Sequence, residues 1–144
     1  MMNQTRRHLN LRSAIPLSTS VWLNLPVHNI QTSAAFYTQL GFDTADMTDK
    51  IKLVIGREKL IVMLFPEPVF RSFTGAAIAD TSSSAEVLIS LGMESKAAVD
   101  ALIAKAESAG AAILGKPHDQ GWMYGAAFAD PDGHRWNLLY MAEQ

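Results

Sequence analysis

The chain has 144 residues, of which 49% are hydrophobic and 18% are charged. This length and balance are typical of one globular domain with its own core rather than of a disordered chain. The net charge of −2 leaves no basic surface that favours nucleic acid. The absence of cysteine excludes disulfides, thiol nucleophiles and zinc–thiolate sites. No apolar run reaches the length of a membrane-spanning helix, so we expect no membrane partner and a cytoplasmic location.

Residues 1–20 contain Arg6, Arg7 and Arg12 and no acidic residue. Such a composition occurs in organelle transit peptides, but a polar extension ahead of the first strand is the simpler interpretation. We therefore expect an N-terminal extension over residues 1–20 and a single domain over residues 21–143.

A β-rich stretch at Val21–Val27 opens the domain. Asn29 or Thr32 is placed to cap a helix over Ser33–Leu40, whose apolar positions form a helical stripe. Gly41 is a typical residue to end that helix. Three short apolar stretches separated by polar turns then predict three strands. These are Phe42–Met47, Ile51–Ile55 and Leu60–Phe65.

Residues 66–84 mix proline and serine with scattered apolar residues, which predicts a linker. After it the pattern restarts with a strand at Glu86–Met93 and a helix that Ser95 caps and that extends to Ala109. Three further strands follow, and the turn Asp130–Gly133 joins the last two. They are Ala111–Leu114, Met123–Ala129 and Trp136–Met141. The order strand, helix, three strands thus occurs twice, which predicts an α+β fold with a repeated unit. The two units cover residues 21–65 and 85–143.

Two parts of the sequence resemble the vicinal-oxygen-chelate superfamily, which contains glyoxalases, bleomycin resistance proteins and extradiol dioxygenases. The first strand–helix unit is similar over Leu25–Ser33, Ala35–Tyr37 and Leu40–Phe42. The closing hairpin is similar over Met123–Gly125 and Phe128–Trp136. The chain looks closest to the lactoylglutathione-lyase-like branch, and the resemblance covers roughly residues 20 to 143. It implies two βαβββ modules whose cupped mixed sheets surround a cavity.

In this superfamily the sheets present ligands for a divalent metal, which stabilises an enediolate or activates dioxygen. The matching positions here are Trp22 in the first strand, Leu88 in the fifth strand and Asn137 in the last. The fourth position falls at Val62 or Met63. Only the amide of Asn137 offers an oxygen ligand, and one amide does not make a metal site. We therefore expect neither a metal nor another cofactor.

Strand alternation predicts which side chains line the cavity in place of a metal. Apolar walls with a few polar points are typical of sites for organic ligands. The predicted lining residues are Trp22, Asn24, Met63, Glu86, Leu88, Ser90, Asn137 and Leu139. His118, Trp122 and Tyr124 are expected near the cavity mouth, His118 on a loop. A filled cavity, in which Trp22 takes the space of metal and substrate, is the alternative, as is a solvated Glu86 at the strand end.

The sequence thus favours a metal-independent protein that binds a small organic molecule, with Glu86 as its main polar selector. One alternative is a metal-dependent enzyme, either a lactoylglutathione-lyase-like lyase or isomerase or a dioxygenase-like protein. The other is an interaction scaffold without a ligand. No base lies beside an orienting partner in the sequence, so no catalytic residue is assigned. The apolar linker residues Phe70, Phe73 and Ile78, and the way superfamily members complete their cavities, predict a homodimer.

Overall fold

The computed structural model describes residue 15 and residues 17–142. Within them the chain forms eight strands and three helices, arranged as two four-stranded mixed sheets. This confirms the predicted α+β fold with a repeated unit, and the sheets are not closed into a barrel. Most of the predicted N-terminal extension (residues 1–14 and 16) and the predicted domain end at residue 143 lie outside the described residues.

The first module has one helix and four strands. They are β1 (Trp22–Val27), α1 (Ile30–Leu40), β2 (Asp43–Asp46), β3 (Ile51–Ile55) and β4 (Leu60–Pro66). The strand order is β1-β4-β3-β2, with β1 parallel to β4 and the other neighbours antiparallel. Asn29 caps α1, because its Oδ1 accepts the backbone N–H of Thr32 at 3.0 Å. The helix therefore begins at Ile30 rather than at Ser33, and Gly41 ends it with φ of 92°.

The segment between the modules contains a helix that the sequence pattern does not predict. Residues 67–74 within the expected linker form α2 (Glu67–Thr74). Pro68 lies in the first turn, where a missing N–H leaves no helical hydrogen bond unmade and the fixed φ suits the helix. The helix packs on β1 and β4, and Phe73 meets Phe65 of β4 edge to face with ring centroids 5.0 Å apart. Pro68, a residue type that usually interrupts helices, thus lies in the first turn of a helix.

The second module repeats the order of the first. Its elements are β5 (Leu88–Gly92), α3 (Lys96–Ser108), β6 (Ala112–Asp119), β7 (Tyr124–Ala129) and β8 (Arg135–Tyr140). The sheet order is β5-β8-β7-β6, with β5 parallel to β8. Ser95 caps α3 as predicted, since its Oγ accepts the N–H of Ala98 at 3.0 Å. β6 extends well past Leu114 through two register shifts in its pairing with β7, so His118 lies in a strand rather than in a loop.

One hydrophobic core joins the modules, and it lies on the helix-facing sides of both sheets. Phe36 of α1 lies against Phe128 of β7, and Tyr37 lies against Trp136 of β8, with ring centroids 6.1 and 5.8 Å apart. The helices α1 and α3 also contact each other. Because α1 and α3 cover the inner side of the sheets, the opposite face of each sheet is turned away from this core, and α2 packs against the end of that opposite face on the first sheet, at Phe65. We call these two surfaces the open faces.

The three helices of the described chain are too short and too polar for a membrane span.

Candidate ligand-binding site

The open face of the first sheet carries three of the predicted site residues. Asn24 of β1 pairs with Met63 of β4, and Trp22 pairs two residues away on the same face. Val62 belongs to the hydrophobic core, whereas Met63, which is 4% exposed, lies outside that core on the same face as Asn24. The Trp22 side chain is 58% exposed, and its Nε1 donates to Ser20 Oγ at 3.0 Å. A large aromatic surface is therefore uncovered on this face.

The open face of the second sheet carries most of the remaining predicted residues. Ser90 pairs with Asn137, whose Nδ2 lies 3.5 Å from the Ser90 Oγ. Leu88 and Leu139 share this face, and Leu88 is 55% exposed. His118 reaches the same face from the edge strand β6. These side chains surround a surface that offers apolar contact and a small number of hydrogen-bonding groups.

Small residues make the centre of this second open face shallow. Gly92 and Gly125 flank Leu139 in the neighbouring strands, and Ala127 lies opposite Asn137. A Cβ atom added at Gly92 would meet nothing within 4 Å. A Cβ atom added at Gly125 would instead lie 3.1 Å from Cδ2 of Leu139, so the sheet backbone is accessible at Gly92, where a flat organic molecule has room to approach it.

Three predicted residues lie away from the open faces. Glu86 precedes β5, and its Oε1 lies 3.6 Å from Nδ1 of His134 at the seam between the modules. Tyr124 is on the helix-facing side, where its hydroxyl donates to Asp100 Oδ1 at 2.6 Å. Trp122 is 67% exposed in the turn between β6 and β7. The other predicted site residues thus lie on two separate surfaces, because each of the two sheets has its own open face.

The turn between β7 and β8 holds a buried polar cluster that the sequence does not reveal. The Tyr37 hydroxyl donates to Asp130 Oδ2 at 2.5 Å and accepts from Trp136 Nε1 at 3.1 Å. Desolvation by burial raises the pKa of Asp130 and raises that of Tyr37 well above its usual value. His134 Nε2 donates to the Pro26 carbonyl at 2.6 Å, while its Nδ1 has no hydrogen-bond partner in the described chain. This cluster fastens the second module to the end of β1.

His28 reaches the same turn from the first module. Its Nδ1 lies 2.5 Å from Asp132 Oδ1, and its Nε2 lies 3.1 Å from Glu67 Oε2. The hydrogen bond with Asp132 and then the charge of Glu67 raise the pKa of His28. The fold therefore places a histidine beside an orienting carboxylate, although 104 residues separate the two in the chain. No local pattern signals such a pair.

Near this turn lies a cavity of about 770 Å³. Its walls are α2, the segment Ala77–Ser82, the turn Asp130–His134 and the adjoining ends of β6, β7 and β8. The hydroxyl of Thr81 donates to the Asp132 carbonyl and fixes the segment against the turn. None of the eleven residues that the sequence predicts for the site lines this cavity.

Two open mixed sheets built from a repeated βαβββ unit define a two-module α+β protein. The chain belongs to the glyoxalase/bleomycin resistance protein/dioxygenase superfamily, since the sequence model of that family matches residues 19–138. No curated protein matches the chain.

Solved structures agree with this assignment. A hypothetical protein from S. aureus is 32% identical and superposes with a TM-score of 0.77, over 87% of this chain and 95% of that one. A glyoxalase-related enzyme from Fulvimarina pelagi is 18% identical with a TM-score of 0.74, covering 86% of this chain and 88% of that one. A bleomycin-binding protein, solved in complex with bleomycin, is 24% identical with a TM-score of 0.57, covering 85% and 98%. The latter two share the fold.

The residues at the superfamily's metal-ligand positions do not fit a divalent metal. Trp22 and Leu88 present exposed hydrocarbon, Met63 offers a thioether, and the Asn137 amide is turned to Ser90. Hard divalent ions require oxygen or imidazole ligands, and these side chains supply one amide oxygen. In residues 15 and 17–142, no group of three or more His, Cys, Asp or Glu side chains comes together to hold a metal ion.

Proposed function

We propose that the chain is a small-molecule-binding protein that works without a metal ion and holds its ligand on the open faces of its sheets. The observation that carries the proposal is the exposure of Trp22 (58%) and Leu88 (55%) at positions where related proteins have metal ligands. Large apolar side chains left uncovered on a concave sheet are typical of ligand or protein contacts. The ligand is an organic molecule with an apolar, preferably aromatic body that stacks on Trp22.

The polar groups of the open faces give this ligand its orientation. Asn24, Ser90 and Asn137 are amide or hydroxyl groups that both donate and accept hydrogen bonds. These three groups carry no charge, so they hold polar groups of the ligand by hydrogen bonds rather than by ion pairs. Glu86 and Tyr124 are not part of the proposed surface, because their side chains are turned to His134 and Asp100.

A second copy of the chain completes the site in this proposal. Each open face lies on the side of its sheet opposite the shared core. A sheet of a second chain that packs against this face would therefore cover a ligand bound there. Burial of Trp22 and Leu88 against that second sheet contributes roughly 1.5–3 kcal/mol per fully covered side chain. The homodimer expected from the sequence is thus retained as part of the proposal, with the open faces as the surfaces that meet.

A thermal-shift screen with a matched pair of variants tests the ligand site. Trp22→Ala and Trp122→Ala each remove one tryptophan whose side chain is more than half exposed, so both variants should fold. Ligands at about 100 times Kd stabilise the folded protein by about 2.7 kcal/mol. We expect hits to lose most of this effect in Trp22→Ala and to keep it in Trp122→Ala. Equal stabilisation of all three proteins contradicts the open-face assignment, and the absence of hits favours a scaffold without a ligand.

Light scattering tests the dimer. The wild type should show about twice the chain mass of 15.7 kDa. Leu88→Lys should shift the protein toward the monomer, because a charge is placed at the centre of the proposed interface. Met47→Lys is the matched control, since Met47 is 45% exposed at the β2–β3 turn. A monomeric wild type, or a dimer that Leu88→Lys leaves intact, argues against the interface.

A further inference from the structure

The cavity at the seam between the modules combines two unpaired arginines with an apolar wall. Arg71 projects from α2, and Arg135 begins β8; both line the cavity of about 770 Å³. Within residues 15 and 17–142 neither guanidinium has a hydrogen-bond or ion-pair partner, and the Arg135 Nε is fully buried. A buried donor without a partner destabilises the folded protein, so a ligand that supplies an acceptor at this place gains a hydrogen bond that the chain itself does not make.

The carboxylates of the same cavity are already engaged. Glu67 and Asp132 contact His28, Asp130 accepts from Tyr37 and two backbone N–H groups, and Asp80 accepts from Ser82. These acids do not converge on a point that holds a metal ion. The arginines are therefore the charged lining groups that lack a partner within the described chain.

We propose that this cavity binds a small organic carboxylate, with Arg71 and Arg135 as its charge partners. A guanidinium presents two parallel N–H groups that match a carboxylate. The volume lies within the usual range of about 300–1,000 Å³ for small-molecule sites. Ile78 and Leu114 offer an apolar surface for the body of the ligand.

The charge of the surroundings selects a singly charged ligand. The cavity is lined by two arginines and by the acidic residues Glu67, Asp80, Asp130 and Asp132. The guanidinium groups offset the repulsion from these carboxylates for a ligand with one negative charge, whereas a second negative charge adds further repulsion from the carboxylates. A monocarboxylate is thus favoured over a phosphate dianion. Arg135 pairs with Leu88, so the cavity adjoins the second open face at that residue, but Trp22 and the other residues proposed to contact the ligand there do not line it.

Nuclear magnetic resonance of the arginine Nε–Hε groups tests the proposal directly. Sodium benzoate is the probe, benzamide is its uncharged counterpart, and inorganic phosphate is the dianion control. We expect the Arg135 and Arg71 cross peaks to shift saturably with benzoate, with Kd in the millimolar range or tighter. With benzamide or phosphate, the shifts of the same cross peaks should not reach saturation. Shifts that grow without saturation in benzoate, or phosphate binding as tight as benzoate, overturn the proposal.

Three variants assign the effect to the cavity. Arg71→Gln and Arg135→Gln should each weaken benzoate binding by about tenfold or more, the loss expected for a charge-assisted hydrogen bond. Arg57→Gln removes an equal charge from a side chain that is 92% exposed and pairs with Glu94, and it should bind like the wild type. Arg71 is exposed, so its variant keeps the test valid if Arg135→Gln unfolds. Unchanged affinity in Arg71→Gln, or an equal loss in Arg57→Gln, refutes the site.

Discussion

The hydroxyl of Tyr37 is expected to stabilise the fold more than any exposed tyrosine hydroxyl of the chain. Tyr37→Phe keeps the ring, which is fully buried and packs edge to face on Phe36 at 5.0 Å. The change removes the donor to Asp130 Oδ2 and the acceptor of Trp136 Nε1. Each buried group left unpaired costs about 1–3 kcal/mol. We therefore expect the free energy of unfolding to fall by about 2–6 kcal/mol, with no contribution from a cavity.

The loss should also depend on pH in a defined direction. Burial raises the folded-state pKa of Asp130, while the hydrogen bond from Tyr37 lowers it; Tyr37→Phe therefore raises it further. A folded pKa above the unfolded value means that protonation favours the folded state as pH falls through the folded pKa toward the ordinary value of 3.8. The deficit of the variant should shrink over that window and be largest at neutral pH.

Urea unfolding followed by far-ultraviolet circular dichroism measures both effects. Tyr124→Phe is the matched control, because its hydroxyl makes one exposed hydrogen bond to Asp100, and it should cost under about 1 kcal/mol. If Tyr37→Phe costs no more than Tyr124→Phe, or if its deficit grows as pH falls, the reasoning on the buried cluster is refuted.

Three further predictions concern the turn, its histidine and the metal. Gly133→Ala places a Cβ 2.9 Å from both the carbonyl O and the Oγ1 of Thr81 at φ of 86°, so urea unfolding should show a loss above about 3 kcal/mol. Gly56→Ala, with φ of 76° and open space, should cost about 1–2 kcal/mol; equal losses would contradict the close approach. The pKa of His28 is raised in the folded state. The stability that its charged side chain contributes is therefore fully present below the ordinary pKa of 6.5 and is lost as the pH rises through the folded-state pKa. His28→Gln should lower stability by under about 1 kcal/mol at acidic pH, because the side chain is 71% exposed, and by less at alkaline pH; a growing difference on the alkaline side speaks against the Asp132 pairing. Elemental analysis of gently purified protein should find no stoichiometric zinc, nickel, iron or manganese, and about one ion per chain whose chelation unfolds the protein would reverse this expectation.

The local patterns of the sequence predict most of the secondary structure. Ser95 and Asn29 have side chains that accept a helix N–H, and Gly41 and Gly133 adopt the positive φ that their positions require. These features depend on residues a few positions apart, which is why they are visible without a fold. The helix α2 is missed because it does not depend on a local pattern alone. Its apolar residues, among them Phe70 and Phe73, are few, and its packing on β1 and β4 is a tertiary contact.

The strand alternation of the sequence also determines which side chains share a face. Trp22 with Asn24, and Leu88 with Ser90 and Asn137, follow from the period of two along each strand. It does not determine where that face points, because this depends on which side the helices cover. The position of the two faces relative to each other is therefore decided by the packing of the helices and not by the strand pattern.

The seam between the modules is decided by the tertiary structure alone. His28 meets Asp132, and Thr81 meets the same turn. Arg71 lies in the segment between the modules and Arg135 in the second module, yet both line one cavity. Such contacts depend on the angle at which the two halves pack around Tyr37 and Trp136. The local sequence pattern of either half does not predict that angle. The sequence by itself determined the repeated unit, its caps and turns, and the residue types at the positions where metal ligands were expected. The packing of the halves decided which polar groups are buried, which are paired and which are left facing a cavity.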